Sequence, residues 1–315
     1  EGRFLPSSLN VIFESDLSTS INSQSPNKRA LITPTAFLFD NTMRGSDDDF
    51  SEERSKLYDK MAKELDEKGL VILNKSVGSK YAASNDAFTV ENGAVKPLRI
   101  PAKPPVRATV LHLPTEYSEA ISAAVNEIVT PHFDKVIWLQ NTRLFHFSMV
   151  HASHHISPVE ATEYEIEEEA SAVKGVALSL CPLKVILERV IFTPSGALIG
   201  CWQVTSGPEP KTLRSKLRAA LPRAPAKQFY EAAILHTSIA RVFDKPKHLT
   251  KKGGGDIQLL HDLEARVNEK IQGLKATVSQ LWFVEEHDRY ALAIDGNFSA
   301  RKFPLACAGL QTQLP

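Results

Sequence analysis

Apolar residues recur along this chain in helical stripes separated by strand-like runs. Leu57, Met61 and Leu65 fall four apart behind a first turn crowded with acidic residues, and Gly69 stands where such a segment stops, which predicts a helix over about 51–68. Ile121, Val125, Ile128 and Val129 form a second stripe. Leu213, Leu217, Ala220 and Leu221 form a third that ends at Pro222, and Leu260, Leu263, Val267, Ile271 and Leu274 a fourth. Each reads as the core-facing side of a helix. Among the strand-like runs is a hairpin across Thr193-Pro194-Ser195-Gly196. Residues 1 to about 48 are rich in Ser, Asn, Asp and Pro and carry no period, so an extended arm lying on the core is expected. Pro97, Pro101, Pro104 and Pro105 read as a stiff linker. The pattern predicts an α+β protein with an N-terminal extension, 1–104, and a core, 105–315.

Two strand-like runs share one polar insertion: Leu144-Phe145-His146-Phe147-Ser148-Met149-Val150 and Ile234-Leu235-His236-Thr237-Ser238-Ile239-Ala240. A histidine and a serine two residues apart in a strand project from the same face. The same string occurs at His151, His155 and His248, but in polar stretches that read as loop, whereas His146 and His236 have apolar residues on both flanks. A lone strand histidine is more often a satisfied structural residue. A matched pair suits proton transfer on the two sides of a phosphate ester, because imidazole titrates near neutrality and the neighbouring hydroxyl can donate to phosphate oxygen. The motifs lie 90 residues apart, each late in a half built from strands and helix. Two pseudo-symmetric lobes are therefore expected, their antiparallel sheets facing a central cleft with helices outside.

Bulk properties narrow the partners. In 315 residues, 43% hydrophobic, Lys+Arg and Asp+Glu balance at 37 each, so no global field draws in a long polyanion. This argues against extended duplex binding, while a small phosphate ester or a short RNA end needs only a local patch. Nothing approaches the roughly 18 consecutive apolar residues of a membrane span. Cys181, Cys201 and Cys307 show no metal spacing and lie among apolar neighbours, so three buried free thiols and a reducing compartment, cytoplasmic or nuclear, are expected. The sequence begins at Glu1 rather than methionine, and an upstream segment with any targeting signal is expected to be absent from it. Asn74-Lys75-Ser76 and Asn297-Phe298-Ser299 match glycosylation acceptors by form alone.

The motifs and their order resemble the two-histidine (2H) phosphoesterase superfamily, and within it the plant RNA ligase/cyclic nucleotide phosphodiesterase family. The resemblance spans about residues 105 to 305: an opening strand Val106 to Pro114, a helix, Val136 to Leu139, the first motif, runs at Val185 to Thr193 and Ala197 to Val204, a helix from about Thr212, the second motif, another helix and a closing strand pair. It implies His146 and His236 as catalytic histidines and Ser148 and Ser238 as phosphate-binding hydroxyls, with no metal or cofactor. Phe147 and Thr237 fill the variable position, and Met149 and Ile239 stand where Leu is frequent, which bears on substrate preference.

Other residues keep two readings. Arg241 lies three beyond Ser238, on the alternate pleat if the strand runs straight, and is either a rim contact to phosphate or an exposed strand-end charge. Trp138, Trp202, Tyr230 and Trp282 are base-stacking candidates or ordinary packing, and Phe147 reads as core. His151, His154 and His155 lack a convincing ligand spacing for zinc and read as a solvated or substrate-lining loop. Glu163 to Glu169 reads as a solvated face. Lys251-Lys252-Gly253-Gly254-Gly255 lacks the setting of a phosphate-binding loop. The expected function is a metal-independent phosphodiesterase, monomeric, acting on a cyclic phosphate or an RNA-terminal phosphodiester. A binding module using the same cleft without turnover is the alternative. A structural protein with similar core strands is a third, and it predicts histidines dispersed in separate cores.

Overall fold

The computed structural model describes residues 47–71, 87–245 and 255–308. The proposed N-terminal arm up to residue 46, Asn74-Lys75-Ser76, His248 and most of the Lys-Gly stretch lie outside them. In chain order the elements are α1 (Asp47–Lys68), β1 (Phe88–Glu91), β2 (Ala94–Pro97), β3 (Pro101–His112), α2 (Thr115–Ile128), α3 (Thr130–Phe133), β4 (Ile137–Leu139) and β5 (His146–Ser153). There follow α4 (Glu163–Ser179), β6 (Leu183–Phe192), β7 (Ala197–Ser206), α5 (Pro210–Ala220), β8 (His236–Val242), α6 (Gly255–Ile271), β9 (Lys275–Val278), β10 (Gln280–Asp288), α7 (Ala291–Ile294) and β11 (Phe298–Pro304).

The strands form a four-stranded sheet, β11-β10-β3-β5, a five-stranded sheet, β4-β8-β7-β6-β9, and the small hairpin β1-β2. All pairings are antiparallel. The first motif strand, β5, is an edge of one sheet, and the second, β8, lies inside the other. Their backbones approach within 8 Å between Cα atoms. One face of each sheet enters a common core with α2, α4, α5 and α6, through residues such as Leu111, Phe147, Ile121, Val173, Leu217, Ile239 and Val267. The four helical stripes read from the sequence fall on α1, α2, α5 and α6, with Leu274 just past the end of the last. The predicted hairpin joins β6 to β7, and Gly196 has φ of +80° there. A Cβ at Gly196 would lie 2.4 Å from the Val242 carbonyl oxygen, so both backbone angle and space require glycine.

Helix α1 docks on the second sheet. Tyr58 is fully buried and its hydroxyl donates to the carbonyls of Trp202 (2.8 Å) and Leu235 (2.7 Å). Arg54, also buried, donates to Ala233 O (2.9 Å) and Gln203 Oε1 (2.6 Å) and pairs with Glu209. The segment leading into the second motif is thus held by α1.

Four sequence readings are revised. Pro101, Pro104 and Pro105 lie within β3 rather than in a linker. The β5 partner begins only at Arg107, and the β10 register breaks between Glu286 and Asp288, so the prolines occupy a stretch where fewer backbone donors are needed. Helix α4 was not read from the sequence; Thr162 and Glu165 form its capping box. Its acidic run is not wholly solvated, because Glu169 is buried and pairs with Arg107 (2.7 Å) and Arg223 (2.8 Å). Finally, Cys181 and Cys307 form a disulfide, and only Cys201 is a free buried thiol among the described residues. The C-terminal tail runs beside the end of α4, where Cys307 N–H donates to Leu180 O and Ala308 N–H to Leu178 O, and this brings together cysteines 126 residues apart. The inference of a reducing compartment loses its basis.

Candidate active site

Both motif strands depart from straight pleating at the same place. In β5, Thr109 faces Val150 and Val110 faces Ser148, leaving Met149 as an extra residue. In β8, Leu198 faces Ala240 and Ile199 faces Ser238, leaving Ile239 as an extra residue. A one-residue bulge resets the alternation. Three residues past each histidine-serine pair's serine, the side chain therefore returns to the motif face: His151 in the first strand and Arg241 in the second. The displaced residues Met149, Val150, Ile239 and Ala240 turn into the core. Arg241 is accordingly not an exposed strand-end charge; it lines a small cavity with Ser238, Trp138 and Tyr290.

The larger neighbouring cleft, about 110 Å³ and open to solvent, is lined by His146, Ser148, His236 and Ser238 together. The dispersed arrangement of a merely structural pair is not found. His151, His155, Tyr230, Glu286 and Tyr290 complete its polar lining. His151 and His155 thus belong to the cleft wall, although His151 is still part of β5 and His154 bridges to Ser157. Of the aromatic candidates, Tyr230 faces this cleft and Trp138 the smaller cavity, while Trp202 and Trp282 are packed inside. Phe147 is core, edge-on to Trp202 at 5.7 Å.

The two imidazoles are held differently. His146 Nδ1 lies 2.7 Å from the Leu144 carbonyl oxygen. A carbonyl only accepts, so Nδ1 carries the proton and Nε2 is left as the acceptor. His236 Nδ1 is buried with no hydrogen-bond partner. Burial disfavours the charged form of both. His146 is lowered despite the Leu144 carbonyl, and His236 falls to about 3, with Arg214 and His146 adding to burial. His151 also falls to about 3 and His155 to about 4, again chiefly by burial. The resting cleft therefore presents neutral imidazoles.

Two functional candidates escaped the sequence reading. Arg214 of α5 is buried and spans both motifs: Nη2 donates to Ser148 O (2.8 Å) and Nε to Met149 O (3.2 Å), while Nη1 donates to Ala232 O (2.7 Å) and Ile234 O (2.8 Å). It makes no ion pair among the described residues. Its helix carries Arg218 one turn on, exposed, and no local pattern separates the two arginines. Tyr230 does more than the stacking or packing that the sequence suggests. Its ring lies 4.8 Å from that of His236, and its phenol interacts with the Ser148 side chain, so it stands beside both motifs. Burial pushes its phenol up, with Arg241 and Arg214 acting the other way. The irregular segment that carries Tyr230 also covers the β5 edge, where Gln228 Oε1 accepts from His151 N–H (2.8 Å) and its Nε2 donates to His151 O (3.1 Å). Among the described residues, no group of three His, Cys, Asp or Glu side chains is arranged to hold a metal ion.

No protein-family model matches the chain, and no curated protein matches it. Among solved structures it is similar to TT0787 of Thermus thermophilus, at 14% identity and a TM-score of 0.42 over 64% of this chain and 98% of that one. It is also similar to E. coli LigT complexed with NADP+, at 11% identity and a TM-score of 0.39 over 64% of this chain and 99% of that one. A conserved protein of unknown function, ATU0111 from Agrobacterium tumefaciens, gives 9% identity and a TM-score of 0.47 over 75% and 97%. At these identities, and with these three TM-scores under 0.5, the likeness carries no chemistry to the cleft.

Proposed function

We propose that the chain is a metal-independent phosphodiesterase of the two-histidine type, acting on a 2′,3′-cyclic phosphate or an RNA-terminal phosphodiester. The observation that supports it most is the convergence of His146, Ser148, His236 and Ser238 on one cleft from two sheets. Hydrolysis adds water: a new P–O bond forms from the water oxygen, the bond to one ribose oxygen breaks, and attack and departure are roughly in line. That geometry calls for a base and an acid on opposite sides of the phosphorus. His146, with Nδ1 protonated and Nε2 open, fits the base that removes the water proton. His236 is then the acid that protonates the departing oxygen. Ser148 and Ser238 donate to the non-bridging oxygens, and Arg241 adds positive charge beside Ser238.

The acid role needs a proton that the resting His236 does not hold. An anionic phosphate between the rings supplies the missing favourable charge and raises the imidazole pKa. Without that rise the cleft binds but does not turn over, and the depressed His236 is the specific observation that keeps a binding module in view. The test is incubation of the full chain with 2′,3′-cyclic nucleotides in the presence of chelator, with 2′- and 3′-phosphate products resolved. Ring opening to a single regioisomer is expected. Tight binding with no product favours the binding module, and no binding removes both readings.

A further inference from the structure

Glu286 is a polar group that the hydrolytic scheme does not use. It sits on β10, is only 8% exposed, and lines the same cleft as the two motifs. Its Oε1 accepts the Leu292 N–H at 2.8 Å, and its Oε2 has no partner among the described residues. No salt bridge reaches it among those residues. Around it stand His151 and His155 from the end of the first motif, Tyr290 after β10, and the phenol of Tyr230. Tyr290 Oη and His155 Nε2 are 2.9 Å apart. Arg289 acts on His155 but is exposed, where water and salt screen it. Two cations lie beside the serines: buried Arg214 is bonded to the Ser148 carbonyl, and half-buried Arg241 follows Ser238 on β8.

The charge of the cleft is thus uneven: arginines stand beside the serine hydroxyls, Tyr230 and Tyr290 border them, and Glu286 is the one carboxyl in the lining among the described residues. An anion belongs with the serines. We infer that Glu286 is a specificity-determining residue: its open oxygen accepts a hydrogen bond from a hydroxyl or amino group on the organic part of the phosphate ester, and it disfavours a second anionic group there. A ligand that covers this oxygen strips it of water, and an acceptor then left unpaired is costly, so a substituent with a donor is favoured over one without. A second anion next to it must either face the carboxylate or bind it protonated. Burial raises this carboxyl to about 7, so at pH 8 protonation carries a penalty of about tenfold in binding.

This rests on the phosphoesterase reading of the same cleft. Its test is the ratio of dissociation constants for adenosine 3′-monophosphate and adenosine 3′,5′-bisphosphate at pH 8, each displaced by inorganic phosphate, in the wild-type chain and in Glu286→Gln. The wild type is expected to prefer the monophosphate by about tenfold, and the ratio in E286Q to fall toward one. Because the readout is a ratio within one protein, general weakening of the fold does not mimic it. A wild-type ratio near one overturns the inference whether or not E286Q folds, and so does an unchanged ratio in the variant; in both cases the phosphate site itself stands. If neither nucleotide nor inorganic phosphate binds, the phosphoesterase reading falls and takes this one with it.

Discussion

The two motif strands use one backbone device for two chemistries. Each carries His-x-Ser, then a bulge, then a third side chain returned to the same face. In β5 that third group is a neutral imidazole, His151, and the His146 ring is anchored by a carbonyl. In β8 it is the guanidinium of Arg241, and the His236 ring has an orphaned Nδ1. Symmetry of the backbone fixes where the groups converge. Asymmetry of the third residue and of the imidazole anchoring can then divide the roles, with the anchored ring as base and the positive charge on the side of the acid. The comparison breaks most directly at the histidines. His146→Ala and His236→Ala are each expected to lower turnover by about 10²–10⁴-fold with little change in the urea midpoint. Retained hydrolysis in either variant would remove that histidine from the mechanism and the division of roles with it.

Arg214 ties the two strands together, and its loss should be felt in both. Arg214→Met leaves two buried carbonyls, of Met149 and Ile234, and two part-buried ones, of Ser148 and Ala232, without their charged donor, and an unsatisfied buried group costs about 1–3 kcal/mol before relaxation. A fall in stability on the order of 3 kcal/mol is expected from urea unfolding, with a further loss of turnover as the serines drift apart. Arg218→Met, one turn on and exposed, should do neither; equal effects would show that Arg214 matters only as part of its helix.

The third residues should separate binding from chemistry. Arg241→Leu is expected to raise KM by roughly tenfold or more, since a hydrogen bond to a charged group contributes about 1.5–3 kcal/mol. His151→Leu removes a neutral group and should cost less, under about tenfold. Equal KM effects would mean that the two positions are interchangeable and that the cleft is not polarised.

What the sequence could show follows from what is local. His146, Ser148, His236 and Ser238 were legible because alternation within a strand places them on one face, and the matched apolar flanks set them apart from the other H-x-[ST] strings. Arg241 keeps two readings in the sequence because its facing depends on the bulge at Ile239, and nothing in Thr237-Ser238-Ile239-Ala240 distinguishes bulged from straight. The four helical stripes were legible by period. Helix α4 was obscured because five glutamates in seven residues mask its apolar side, although Thr162 and Glu165 carried its start signal. Arg214, the Cys181–Cys307 bond and Glu286 depend on chain segments far apart in sequence, and only tertiary structure brings their partners near.

The smallest expected effect concerns stability against pH, and it tests whether an anion really sits between the halves. His236 and His151 drop from the ordinary 6.5 to about 3 in the folded chain. Between those values the unfolded chain takes up protons that the folded chain refuses, so the stability they contribute is complete above about pH 6.5 and is lost as pH falls. Glu286 works the other way: raised from 4.5 to about 7, it holds a proton when folded, and its contribution is complete below 4.5 and lost as pH rises toward 7. Where the windows overlap, these two imidazoles, together with His155 at about 4, outweigh one carboxyl, and the melting temperature should fall from pH 6.5 to pH 4.5. His236→Asn and His151→Asn should each flatten that slope by a similar amount. Saturating inorganic phosphate should flatten it in the wild type, because a bound anion raises the imidazole pKa values toward their unfolded level. It should do so less in His236→Asn, where one of the responding rings is gone. A wild-type slope unmoved by phosphate would place the anion away from the imidazoles, and the shared backbone device would then have lost its chemical purpose.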